Sequence, residues 1–212
     1  MNQNEKIVFK VKIFVRKKLK HKSSGHGYWH AYRVAQMAIF IGQKEKADLK
    51  VLELAGFLHD IGNDKDNDHE IKGAKISQGF LTKLKVNERI IKQVTYCVKN
   101  HRFSKGVIPK TLEAKIIQDA DKLDALGAIE IVRVFSVSAA KKRKTYDPNV
   151  KPDFNYYLKH GVSRTAINHF YEKLFKLKNL MYTKTAKKIA INREKFMKAF
   201  LKRFFQEWSG EK

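Results

Sequence analysis

Apolar residues recur three and four positions apart along almost the whole chain, a period that admits α-helices packed on one another and little else. Ile7, Val8, Val11, Phe14 and Val15 make the first stripe, Val34, Met37, Ala38 and Ile41 the second, and Ile90, Ile91, Val94 and Val98 a later one. The three prolines, Pro109, Pro148 and Pro152, all fall beyond residue 100, so none interrupts a helix before it. The pattern predicts helices over 5–19, from His30 to about Gly42, from Asp48 as N-cap, over 71–84 and 87–99, from Thr111 as N-cap, over 128–140, 165–181 and 185–208. The last two read as an antiparallel pair. Their stripes are Phe170, Leu174, Leu177 and Met181, and Ala186, Ile189, Arg193, Phe196, Phe200, Phe204 and Trp208, with Arg193 the one polar interruption. Between Tyr146 and Ser163 lies the longest expected loop. Its Phe154, Tyr156 and Tyr157 favour an ordered lid over a free linker. A chain of 212 residues supports one good-sized core, and the expectation is an all-α single domain over 1–212, with its core in 22–135, a lid-like loop at 141–163 and C-terminal helices at 165–208.

Three of these segments carry metal-binding side chains. Leu58-His59-Asp60-Ile61-Gly62 sets an imidazole beside a carboxylate at the end of an apolar run. Alone, that pair would also suit a helix C-terminus, where a cationic His meets the dipole. His30 sits one turn before Val34 on the inward face of the preceding helix. In Gln118-Asp119-Ala120-Asp121-Lys122-Leu123-Asp124, the residues Ile117, Asp121 and Asp124 share a face, so at least one carboxylate points where apolar side chains point. A buried carboxylate must be paired or bind a metal. His30, His59, Asp60 and Asp121 together offer nitrogen and oxygen donors suited to Mn²⁺, Fe²⁺ or Zn²⁺. Asp119 and Asp124 stand as supporting acids, and either replaces Asp121 if the helical phase differs.

The order His, His-Asp, Asp on three helices resembles the HD-domain superfamily of metal-dependent phosphohydrolases, in a branch of bacterial nucleotide pyrophosphohydrolase-like proteins. The likeness extends to Ser24, His26, His30, Arg33 and Val34, to Gln118-Asp119-Ala120-Asp121-Lys122-Leu123-Asp124-Ala125-Leu126-Gly127-Ala128-Ile129, and to Ile167-Asn168-His169-Phe170-Tyr171-Glu172-Lys173-Leu174. It implies a divalent cation, Mn²⁺ first with Fe, Mg, Co, Ni or Zn open, His59 and Asp60 as catalytic residues with Asp60 also orienting water, and hydrolysis of a nucleoside or deoxynucleoside triphosphate. His26 and Arg33 become candidates for phosphate contact, as do His101 and Lys105 at the site mouth. For Arg33 an ion pair with Asp124 is the plainer alternative. Family members often carry an acid shortly after the His-Asp pair. Here the third position is Asn63, and Asp64 follows as the candidate. Within the superfamily the competing activity is a phosphodiesterase or nuclease.

Composition limits the remaining readings. Lys and Arg number 45 against 21 acids, a formal net charge of +24, which attracts polyanions from nucleotides to RNA. The cations are scattered through nearly every helix. A non-catalytic nucleic-acid module is therefore the weaker alternative, with weak, sequence-indifferent binding expected. Cys97 is the only cysteine, so no internal disulfide forms. No stretch approaches the roughly 20 apolar residues of a membrane span. The N-terminus lacks a secretory layout, and the expectation is a cytoplasmic protein. The oligomeric state stays open, a homodimer included.

Overall fold

A computed structural model of the chain describes residues 2–20, 27–62 and 68–211. Those residues form ten α-helices and no strand. The chain divides into two compact units, Met1–Asp121 and Lys122–Lys212.

The first unit holds α1 (Gln3–Lys18), α2 (Tyr28–Glu45), α3 (Leu49–Leu58), α4 (His69–Lys83), α5 (Glu88–Lys99) and most of α6 (Leu112–Asp124). Four of these six helices start at a side-chain cap. Asn2 and Glu5 form a reciprocal capping box on α1, Asp48 accepts from the Lys50 and Val51 amides at the head of α3, Asn87 from Arg89 ahead of α5, and Thr111 from Ala114 ahead of α6. Helix α3 is the hub, in contact with α1, α2 and α5. Seven of its ten residues are buried, Val51, Leu52, Leu54, Ala55, Gly56, Phe57 and Leu58. A helix whose only charged side chains, Lys50 and Glu53, sit on one narrow face belongs in the middle of a core. Each such Leu or Val contributes roughly 1.5–3 kcal/mol by leaving water.

The backbone packs closest beside the His-Asp pair. A Cβ on Gly56 would lie 2.5 Å from Ala35 Cα, so α2 and α3 meet there backbone to backbone. A Cβ on Gly62 would lie 2.3 Å from both the Gly73 nitrogen and the His69 carbonyl, which brings the first turns of α4 against the residues after Asp60. Glycine at 56 and 62 thus sets how near the neighbouring helices stand.

The second unit holds α7 (Ala128–Ala140), α8 (Phe154–His160), α9 (Ala166–Glu172), a 3-10 stretch (Leu174–Leu180) and α10 (Lys184–Trp208). Three details depart from the sequence pattern. The expected loop 146–163 contains α8, capped at its start by Asp153 accepting from the Tyr156 amide and stopped by Gly161 at φ 67°. The expected helix 165–181 turns into a 3-10 stretch after Glu172, where Leu174 and Leu177, three apart, go inward on a three-residue repeat. On α10 the buried stripe is Ala186, Ala190, Glu194, Met197 and Leu201, while Phe196 and Trp208 remain 53% and 57% exposed. Glu194 is tolerated inside because Lys178 and Lys198 pair with it at 2.8 and 2.6 Å.

Helix α9 straps the preceding loop in place. The Ala166 and Ile167 amides donate to the Lys144 and Thr145 carbonyls. The Asn168 side chain donates to the carbonyls of Val150 and Lys151, at 3.2 and 3.3 Å. Glu172 accepts from the Asp153 amide at 2.8 Å. His169 Nδ1 lies 3.0 Å from the Ser163 hydroxyl. Arg193, the polar break in the α10 pattern, donates to the carbonyls of Leu123 and Leu126 at the end of α6. Orphan carbonyls at a helix C-terminus need such a donor.

Candidate metal centre

Four helix segments of the first unit deliver imidazoles and carboxylates to one place. His30 comes from the first turn of α2, His59 and Asp60 from the end of α3, His101 from just after α5, and Asp121 from α6. His30, His59, Asp60 and His101 are 3%, 0%, 4% and 2% exposed, while the Asp121 side chain keeps 19% of its surface. His30 Nε2 lies 3.1 Å from His59 Nε2, 3.3 Å from Asp121 Oδ1 and 3.6 Å from Asp60 Oδ2. His59 Nε2 also lies 3.6 Å from Asp60 Oδ2. The other oxygen of Asp60 faces His101 Nε2 at 3.3 Å.

Backbone carbonyls decide which nitrogens look into this cluster. His59 Nδ1 donates to the Gly56 carbonyl at 2.8 Å, and His101 Nδ1 donates to the Val98 carbonyl at 2.7 Å. With the proton held at Nδ1, the Nε2 of the neutral His59 ring presents a lone pair inward, whereas His101 Nε2 is turned to the Asp60 carboxylate. Burial drives the His59 pKa down to about 4 against the pull of the Asp60 charge, so the ring is neutral near pH 7. Burial also disfavours the charged form of His101, but the hydrogen bond and charge of Asp60 outweigh it and raise its pKa. Burial works against the Asp121 carboxylate too, and the hydrogen bond and charge of His30 overcome it, holding that carboxyl below its ordinary range.

Two groups of donors result. One atom each of His30, His59 and Asp121 lie within 4.8 Å of one another, and so do atoms of Asp60, His69 and His101. The ring centroids of His30, His59, His101 and His69 follow one another at 5.0, 5.2 and 5.4 Å. Two Nε2 atoms facing each other beside carboxylates form a donor set that fits a divalent cation of the borderline kind. His30, His59, Asp60 and Asp121 could hold it.

The other residues singled out by the sequence lie elsewhere. Of the three acids in α6, Asp121 faces His30, whereas Asp124, in the second unit, takes Arg133 Nη1 at 3.2 Å. Asp119 is fully buried. Arg33 is half-buried on α2, one turn beyond His30. Lys105 pairs with Glu70 at 2.7 Å and with Asp68 at 3.3 Å. Arg102 reaches the same Glu70 at 3.7 Å. That buried carboxylate ties the turn after His101 to the head of α4. His26, Asn63 and Asp64 lie outside the described residues. His69 is the residue that the sequence pattern missed. Its signal was Gly62, whose lack of a side chain admits the first turns of α4, but no periodicity announces such an approach.

The chain's likenesses agree with this geometry. A family model for the HD domain matches residues 27–126. The uncharacterized protein YpgQ of Bacillus subtilis is 33% identical over 204 residues, 94% of this chain and 93% of that protein. An HD-superfamily hydrolase structure from Bacillus thuringiensis is similar with a TM-score of 0.80 and 36% identity, covering 98% of this chain and 99% of the other. Bacillus subtilis YpgQ in complex with ADP has a TM-score of 0.75 at 28% identity, with 97% of both chains covered. The ribonuclease Y of Desulforudis audaxviator is 30% identical over 115 residues, 54% of this chain and 21% of that larger protein.

Proposed function

Because the chain belongs to the HD-domain superfamily of metal-dependent phosphohydrolases, we propose that its substrate is a nucleoside or deoxynucleoside triphosphate, cleaved to the monophosphate and pyrophosphate. The observation that carries this reading is the convergence of His30 and His59 Nε2 with Asp60 and Asp121, with the Nδ1 proton of His59 fixed on a carbonyl. A divalent cation bound there, Mn²⁺ foremost, would supply Lewis acidity, making water nucleophilic at neutral pH and drawing charge from the phosphoryl group. His30, His59, Asp60 and Asp121 would hold it, two of them delivered at the end of the buried helix α3.

Asp60 works from both oxygens. Oδ2 faces His30 and His59, while Oδ1 holds His101 Nε2. That second contact stabilises a protonated His101, which can neutralise charge on a phosphoryl oxygen. The proton that the attacking water releases leaves with the pyrophosphate or passes to solvent. The water oxygen bonds to the α-phosphorus as the bond to the pyrophosphate oxygen breaks, so no protein nucleophile is consumed. The relative solved with ADP supports a nucleotide as ligand.

A Mn²⁺-supplemented screen of nucleotides for phosphate and pyrophosphate release tests the assignment. Pyrophosphate from triphosphates is the expected product. The similarity to ribonuclease Y supports a second reading, hydrolysis of RNA. Cleavage of an RNA oligonucleotide with every mononucleotide left intact would replace the first reading by the second.

A further inference from the structure

Helix α1 turns Ile7, Val11 and Val15 inward. On the opposite side it projects Phe9 and Ile13, each 54% exposed. The two are about 6 Å apart along the axis. At 100° per residue Lys6, Lys10, Arg16 and Lys17 fall with them inside an arc of about 120°, and all four are exposed. The helix's one acid, Glu5, is turned back into the cap, accepting from the Asn2 amide at 2.9 Å. Cations nearer the flank already have partners: Lys12 pairs with Glu53 at 3.6 Å, and the Arg16 guanidinium lies 5.6 Å from the Tyr28 ring.

We infer that this outer face of α1 docks on an anionic lipid surface, with Phe9 and Ile13 entering the acyl boundary and Lys6, Lys10 and Lys17 staying among the headgroups. Two apolar side chains ringed by cations gain nothing from water, and a bilayer interface satisfies both kinds at once. Nucleic acid fits the face less well. Ile13 has no flat ring to stack on a base, so such a complex leaves it in water. A second copy of the same face would set lysine against lysine. The net charge of +24 draws the whole chain toward such a surface before contact. None of this depends on the substrate assigned above.

The test is co-sedimentation of the full chain with phosphatidylcholine vesicles, with and without phosphatidylglycerol, across a salt series. Capture is expected only with phosphatidylglycerol, weakening as salt rises. Near an anionic surface each lysine is worth roughly fivefold in partitioning, so Lys6→Gln, Lys10→Gln and Lys17→Gln together reduce binding about a hundredfold. Phe9→Ser with Ile13→Ser reduces it by about tenfold or more at unchanged charge. A control removes the same charge from exposed positions of α10, through Lys184→Gln, Lys187→Gln and Lys188→Gln, and keeps most of the binding. Circular dichroism and thermal melting confirm that all variants fold. The inference fails if the α10 control loses as much as the α1 variant, if the Phe9 and Ile13 exchange changes nothing, or if phosphatidylglycerol vesicles are not captured while single-stranded RNA binds through the same lysines.

Discussion

Both units of this protein bury ionisable side chains, yet they satisfy them in opposite ways. In the second unit most buried charges meet an opposite charge or a backbone group. Arg133 binds Asp124 and Glu130, Lys178 and Lys198 hold Glu194, and Lys122, 1% exposed, donates to the Leu180 carbonyl and lies 4.3 Å from the Tyr182 ring. In the first unit Glu70 meets Lys105 in the same way, but at the His-Asp cluster like groups crowd together. Nε2 of His30 faces Nε2 of His59, and Asp60 and Asp121 approach the same imidazole. Complementary pairing inside a protein is architecture. Converging lone pairs have no such explanation and point to a ligand that supplies the positive charge.

The largest expected effects break the first arrangement. Asp60→Ala and His59→Ala should lower kcat by at least about 10³-fold, some 4 kcal/mol of barrier, with the helical circular dichroism kept and the metal content of the purified protein reduced. Chelation of the wild type should have the same effect on turnover, with recovery on adding Mn²⁺. Retained turnover at full metal content in both variants would remove the contrast between the units.

Arg133→Met should do the reverse. It removes the Arg133 contacts to buried Asp124 and Glu130 and should cost about 3 kcal/mol in urea unfolding, while turnover per folded molecule stays near wild type. A matching loss of kcat would show that the second unit's pairing serves catalysis as well as stability.

Gly62→Ala tests the packing that places His69. The new Cβ would meet the Gly73 nitrogen and the His69 carbonyl at 2.3 Å, and overpacking of that kind costs about 1–3 kcal/mol. A thermal midpoint equal to wild type would mean that α4 shifts freely.

The smallest effect concerns acid. Burial, reinforced by the nearby cations Lys173, Arg143, Arg133 and Lys141, lowers the His169 pKa to about 3 from 6.5. Between those values the unfolded chain carries a proton that the folded one refuses, so stability is complete above pH 6.5 and declines as pH falls through that window. One proton sets a ceiling of about 1.4 kcal/mol per pH unit, and the actual slope is well below it because His169 is partly exposed. His169→Gln should flatten the decline in a series of urea titrations, and an unchanged slope would place the acid sensitivity elsewhere.

Much of the architecture could be read from the chain because helices are local objects. Asp48, Asn87, Thr111 and Thr183 cap helices through atoms two or three residues away, and an apolar stripe reports its own inward face. The inward placement of His30, His59, Asp60 and Asp121 follows similarly: each interrupts or ends an inward stripe where an apolar residue would be expected. Periodicity failed where partners are distant in sequence. It set Phe196 in the α10 stripe, whereas Glu194 takes an inward place with Lys178 and Lys198 beside it. It gave Lys105 no reason to turn to Glu70, 35 residues earlier, where the two now pair.

By itself the sequence determined an all-helical chain, the ends of most helices and the identity of the side chains able to hold a cation. Tertiary structure alone decided which acid of α6 faces the imidazoles, that His69 and His101 continue their row, and that Asn168 and Glu172 strap the loop before them. The physical reason is one of range. Helical phase follows from bonds between residues three or four apart, whereas the meeting of His69 with His101 depends on how closely two helices pack, and that distance is set at Gly62 and Gly73 by the atoms they lack.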